Sequence, residues 1–264
     1  MNSDLCYNRC MIDGHTHLEN GELTIEYVQE FVDEAVKKGI TTLHILDHTH
    51  RFKEFEFAYE KLKETPIQKE WLSKKFKNSL DDYMKLIEEC RKIEYPIEVK
   101  FGLEVCYVEE YEEGLRELLS KYQFDYLIGS IHSINGLLYD MSFSKEILWD
   151  KYDVNDIYKD YYKSLFSLVK SDLFTQVGHP DTIKMFDYYP NYDLTDTYHE
   201  FALLCNQHHV LCENNTGCHY RYHHSDIGLS KEFLDILKEH QTRIITASDA
   251  HKPSDVGSCF TAIL

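Results

Sequence analysis

"IDGHTHLEN", residues 12–20, decides how the rest of the sequence is read. Ile12 and the residues just before it are apolar enough to begin a strand. In an extended chain, residues i and i+2 project to the same side. His15 and His17 would therefore present two imidazoles together, as a pair of ligands for one metal ion. Taken alone, a His-x-His pair is more often an ordinary surface feature, so its meaning depends on what the other strands deliver.

Six further segments have the short, β-branched or apolar character of strands. They are 42–48, 97–107, 126–132, 174–179, 210–214 and 243–248, with the first strand drawn over 10–18. Helical patterns lie between them. Thr24 can cap a helix whose apolar face is Ile25, Val28, Phe31, Val32, Ala35 and Val36, ended by Gly39. Ser79 with Asp82 resembles a capping box ahead of Leu86, Ile87, Cys90 and Ile93. Asp153 can cap a helix carrying Ile157, Tyr161, Leu165, Leu168 and Val169, and two more helices are expected near 194–208 and 230–240. Strands alternating with helices imply parallel pairing. Seven such units suggest an α/β barrel more than an open sheet, in one domain over 1–264. The segment 51–94 is longer than one crossover needs, so it is expected to add helical or loop structure over one end, as a lid or as decoration.

The ends of these strands repeat the chemistry of the first. Asp47, His48 and His50 follow the second, Glu104 lies on the third, His132 ends the fourth, His179 the fifth, and Asp249 with His251 the last. In a barrel of parallel strands these ends converge on one face. Fifteen histidines make some coincidences inevitable, but not convergence at six of seven strand ends. Imidazole and carboxylate ligands suit zinc, iron or manganese, and eight or nine of them exceed what one ion can use.

Bulk properties narrow the partners. The net charge of −18, from 46 acidic against 28 basic residues, opposes nucleic-acid or anionic-membrane binding. No apolar run reaches about 18 residues, the minimum for a membrane span. Eight cysteines, at 6, 10, 90, 106, 205, 212, 218 and 259, form no CxxC pair, and no basic-then-apolar leader pattern opens the sequence. Reduced thiols in a cytoplasmic protein are expected. The composition sets no oligomeric state.

The motifs "DGHTH", "LDH", "GLEV", "SIH", "GHPD" and "SDAH", in this order, resemble those of the PHP (polymerase and histidinol phosphatase) superfamily. The resemblance spans 12–257, and the pairing of "HTHLENG" with "LDHTHRF" is similar to the stand-alone histidinol-phosphate phosphatases. It implies a distorted (β/α)7 barrel holding three divalent ions. By the family scheme His15, His17, Glu104 and Asp249 hold one ion. Glu104, bridging, holds a second with His132 and His179, and His48 with His251 holds the third. Many relatives complete that third site with a His or Asp in a longer loop after the first motif. Here only "LENGEL" follows, so Glu19 is expected to substitute, with Glu22 as its competitor.

The implied reaction is hydrolysis of L-histidinol phosphate to L-histidinol and phosphate, a step of histidine biosynthesis, by in-line attack of a metal-bridged hydroxide on phosphorus. Lys184 and Arg221 stand where the family places basic groups for the phosphate. Asp47 and His50 are the candidates for proton transfer to the leaving group. Tyr107, Tyr220 and residues of 51–94 are candidates for the amine and imidazole. A PHP-type phosphodiesterase or exonuclease is the alternative, opposed by the charge. An amidohydrolase would need a bridging lysine that "YLIGSIHS" lacks, and a metal-stabilised scaffold would have lost some of these ligands.

Overall fold

The structure is a computed structural model that describes residues 11–263. Cys6 and Cys10, and with Cys10 the expected start of the first strand, lie outside the described residues.

The strands are β1 (Ile12–His17), β2 (Thr42–Leu46), β3 (Glu98–Cys106), β4 (Tyr126–Ser130), β5 (Ser133–Ile134), β6 (Leu137–Leu138), β7 (Gln176–Val177), β8 (Leu211–Asn215) and β9 (Ile244–Ala247). Seven of them form one parallel sheet in the order β1-β2-β3-β4-β7-β8-β9. The sheet curls until its outer strands meet. His17 N–H donates to Ala250 O at 2.7 Å, and Thr246 Oγ1 donates to Ile12 O. Asp13 completes this seam. Its carboxylate accepts from Ser248 N (2.9 Å), Ser248 Oγ (2.6 Å) and Gly257 N (2.8 Å). Burial nevertheless pushes the Asp13 carboxyl up to about 6 against these bonds. The expected parallel barrel is present, nearly closed.

The helices are α1 (Ile25–Lys37), α2 (Pro66–Leu72), α3 (Leu80–Cys90), α4 (Glu112–Leu119), α5 (Val154–Lys170), α6 (Thr195–Gln207), α7 (Gly217–Tyr222) and α8 (Lys231–Glu239). The expected caps form. Thr24 accepts from Tyr27 N at 3.2 Å, Ser79 from Asp82 N at 3.2 Å, and Asp153 from Asn155 N at 2.8 Å. Val28, Phe31, Val32 and Ala35 of α1 are buried, but Val36 is exposed, because it sits at the edge of that stripe. Ile93 falls past the end of α3, in the turn that follows Cys90.

Three elements lie outside the expected pattern: α4, α7 and the β5–β6 hairpin. The hairpin turns on Asn135 and Gly136, with φ of 52° and 81°. Asn-Gly is the residue pair a two-residue turn with both φ positive requires. The long segment after β2 is mostly helical, with a 3₁₀ run over Lys53–Glu64 followed by α2 and α3. Gln68 ties it to the hairpin, accepting from Leu138 N at 2.7 Å and donating to Gly136 O at 3.0 Å. Its return strand of chain pairs with the start. Phe76 N donates to His50 O (2.8 Å), Asn78 N to Arg51 O (3.1 Å) and Lys53 N to Asn78 O (3.0 Å).

Among the described residues the six cysteines are free thiols, and no helix is long and apolar enough to cross a membrane.

Candidate metal centre

β1 delivers His15 and His17 through a register shift between Asp13 and Thr16. Such an irregularity re-aims side chains. Gly14 allows it, since a Cβ there would stand 2.8 Å from Ile245 Cδ1. The two Nε2 atoms face each other at 2.9 Å. Two imidazole nitrogens so placed, at the end of a buried strand, are a donor pair aimed at one point.

Glu104, fully buried on β3, is the centre of the cluster. Oε2 lies 2.7 Å from His48 Nδ1, 3.3 Å from His15 Nε2 and 3.4 Å from His17 Nε2. Oε1 lies 2.8 Å from His179 Nε2 and 3.2 Å from His132 Nε2. Burial would raise the Glu104 carboxyl, but His48, His15 and His132 outweigh it and hold the group well below its ordinary range. Asp249 Oδ1 stands 3.1 Å from His17 Nε2. Burial acts against its charge too, and the Arg221 guanidinium with His17 overcomes that. Four groups bring three ligand atoms within 4.8 Å of one another: His15–His17–Asp249, His17–His48–His251, His48–Glu104–His132 and Glu19–His48–His50.

These residues fit divalent cations. His17 Nδ1 and His179 Nδ1 are buried without hydrogen-bond partners, and five imidazole nitrogens surround one carboxylate. Buried polar atoms left this way are costly unless something binds them.

Glu19 does reach the cluster, with Oε2 at 3.3 Å from His50 and 3.8 Å from His48, and Oε1 at 3.7 Å from His251. Glu22 does not appear in any of these groupings, although it borders the groove outside. His50 stands among the ligand candidates. Burial and then His48 draw its imidazole down to about 3, which favours the neutral form that a ligand needs.

Two other candidates sit elsewhere. Asp47 is fully buried, and Arg51 Nη1 donates to its Oδ2 at 2.6 Å. Burial lifts it to about 6, yet it is outside the pocket lining and its Oδ1 holds His48 N at 3.0 Å. That is the position of a group that orients a ligand. Lys184 is held by Asp181 Oδ2 (2.7 Å), Asp226 Oδ2 (2.8 Å) and Gly228 O (3.0 Å), and lines a small cavity that shares His179, Thr182 and Cys218 with the pocket. It pins two loops together. Lys184→Met leaves the buried Asp181 without a cation, holding Ser230 N alone, and is expected to cost about 3–5 kcal/mol, read as a lowered Tm. An unchanged Tm would remove the pinning role.

Arg221 lies on α7 and lines the pocket. Its Nη1 meets His251 Nδ1 at 2.6 Å, its Nη2 donates to Asp249 Oδ2, and its buried Nε has no partner. Tyr107 donates to Glu112 at 2.7 Å and Tyr220 to Asp249 O at 3.2 Å, both outside the lining. The pocket, about 260 Å³, is walled instead by Trp71, Tyr222, Met141 and Asp140. Cys106 and Cys218 also line it, which the strand-end pattern did not anticipate.

Glu213 is the residue sequence reasoning missed. It is fully buried on β8 and takes four donors: His15 Nδ1 (2.7 Å), Gln176 Nε2 (2.6 Å), His179 N (2.9 Å) and Asn215 Nδ2 (2.8 Å). By holding His15 Nδ1–H it leaves Nε2 as the free donor atom. A lone acid in the apolar run "VLCEN" was its only trace.

The family model of the PHP domain matches residues 13–217. The chain belongs to the PHP domain family. Along nearly their full lengths this PHP chain is 24% identical to the histidinol-phosphatase of Bacillus subtilis, over 96% of this chain and 97% of that one. It is 23% identical to a probable histidinol-phosphatase of Deinococcus radiodurans, over 95% and 90%. In fold it matches a putative histidinol phosphatase from Listeria monocytogenes, with TM-score 0.79 and 21% identity over 96% and 100% of the two chains. A histidinol phosphate phosphatase from Lactococcus lactis, solved with zinc, L-histidinol and phosphate, matches with TM-score 0.67 and 16% identity over 96% and 92%.

Proposed function

We propose that this PHP domain, over 1–264, is a metal-dependent phosphomonoesterase that hydrolyses L-histidinol phosphate, in the cytoplasm, as a step of histidine biosynthesis. The observation that carries the reading is Glu104 within reach of five histidines, of which His48, His132 and His179 line a pocket with Arg221. Full-length similarity to proteins named histidinol-phosphatases supports the substrate.

Three divalent ions, zinc, manganese or iron, would be held by His15, His17, Glu104 and Asp249, by Glu104, His132 and His179, and by His48, His251 and Glu19, with His50 beside the last set. When bound, such ions supply an acidified water and charge to hold phosphoryl oxygens. The protein supplies the rest. Glu213 and Asp47 fix the imidazole of His15 and the backbone of His48. Arg221, steadied by Asp249 and His251, offers its unpartnered Nε to a phosphoryl oxygen. Asp140, which lines the pocket and forms no salt bridge with a lysine or arginine among the described residues, suits the substrate's ammonium, and Trp71, Tyr222 and Met141 suit its imidazole.

The test is a panel on metal-replete protein: histidinol phosphate, a generic phosphomonoester, a phosphodiester and an amide. Histidinol phosphate is expected to exceed the generic ester by at least about tenfold in kcat/KM, the range a few pocket contacts supply. Equal rates would overturn the substrate, and a faster phosphodiester would overturn the reaction. Metal analysis near one ion per chain would contradict the three-ion reading.

A further inference from the structure

Three cations come near the pocket, and two are already engaged. Arg221 is bound to Asp249 and His251, and Lys184 to Asp181 and Asp226. The third, Lys75, lines both the pocket and an adjoining open groove with Lys74, Lys77 and Asn78. Its ammonium lies 4.8 Å from the centre of the Trp71 ring, and it makes no ion pair or hydrogen bond among the described residues.

We propose that Lys75 is the pocket's phosphate-holding lysine, taking a phosphoryl oxygen of the substrate in the role the family resemblance implied for Lys184. The inference rests on the phosphatase reading above and adds a contact from outside the strand ends.

The backbone that carries Lys75 is fixed, and its side chain lies over Trp71. The Lys75 backbone N–H donates to Leu72 O at 2.9 Å, and its neighbour Phe76 donates to His50 O at 2.8 Å. Phe76 has φ of 55°, a left-handed turn that sets the direction of the chain here. The lysine is thereby held beside His50. The carboxylates that act on it from a distance, Glu19 and Asp47, are occupied, the first among histidines and the second by Arg51. Burial lowers the Lys75 ammonium from its ordinary value, as expected of a half-buried cation without a partner. A phosphate dianion would supply the partner. A compact ammonium acts on phosphate as a point charge, and at a half-buried site that attraction is weakly screened. In a chain of net charge −18, an unneutralised lysine in a pocket is unexpected for simple solvation. The segment 51–94 then contributes to recognition, closing over the strand ends with a charge on its inner edge.

The probe is inorganic phosphate, measured by calorimetry and as a competitive inhibitor, with metal-loaded full-length protein. Lys75→Met is expected to weaken phosphate binding by about tenfold, the size of one partly buried charge contact. Lys75→Arg, which keeps the charge, is expected to stay within about threefold of wild type. Unchanged phosphate affinity in Lys75→Met overturns the proposal. So does a loss that saturating metal restores, since that would place Lys75 on metal binding. If wild type binds phosphate but does not hydrolyse histidinol phosphate, the function fails while the Lys75 contact is still decided by phosphate.

Discussion

Glu104→Gln is expected to lower turnover by about a thousandfold or more, equivalent to roughly 4 kcal/mol of barrier, and to remove more than one metal ion per chain. One carboxylate oxygen reaches His48, His15 and His17, and the other reaches His179 and His132. The amide has nearly the same shape but no charge, and it turns one acceptor into a donor. Each ion that shares Glu104 would lose a negative ligand at once. Metal content by elemental analysis, set beside kcat, checks this. If metal content is unchanged while activity falls, Glu104 acts on the reaction and does not bridge ions.

Glu213→Ala is expected to weaken metal binding by about 10–100-fold, the usual effect of removing a group that orients a ligand. It is also expected to destabilise the metal-free protein by about 3–5 kcal/mol. The alanine leaves four buried donors unsatisfied, from His15, Gln176, His179 and Asn215. His15 also loses the contact that fixes which ring nitrogen is free. Metal titration and thermal melts separate the two effects. A fall in Tm with unchanged metal affinity would make Glu213 scaffolding alone. Glu213→Gln, which keeps an acceptor, is expected to recover part of the stability and less of the metal affinity.

What was legible in the sequence was local or periodic. His15 and His17 could be paired from strand geometry, and the recurrence of His48, Glu104, His132, His179 and Asp249 at strand ends made a parallel barrel the natural frame. Caps at Thr24, Ser79 and Asp153 are local contacts, so they were readable. What escaped depended on distance in sequence. Nothing near Lys184 announces that Asp226 will meet it, and nothing near Asp47 separates a pocket acid from one claimed by Arg51. Trp71 and Lys75 belong to a segment whose helices carry no strand-end marker, so their place over the site comes from long-range contacts, the pairing of 76–78 with 50–53 and the bonds of Gln68 to the hairpin. The Asn135-Gly136 hairpin is the exception, a local signal strong enough to have been read. β7 illustrates the opposite limit, since it keeps just two residues of ladder, Gln176 and Val177, with His179 beyond it at φ of 28°.

The seam at Asp13 has a temporal consequence. Asp13 and Ser248 are 235 positions apart, and the two strands that meet there carry His15 and His17 on one side and lead to Asp249 and His251 on the other. Contacts so distant in sequence form late and slow the search for the native state. On the ribosome, a chain not yet extended through β9 would hold β1 as an open edge, its donors bare and its imidazoles still without Asp249. Such an edge invites pairing with a neighbouring nascent chain. Closure of the edge and completion of the His15–His17–Asp249 group therefore come together, once β9 has been made.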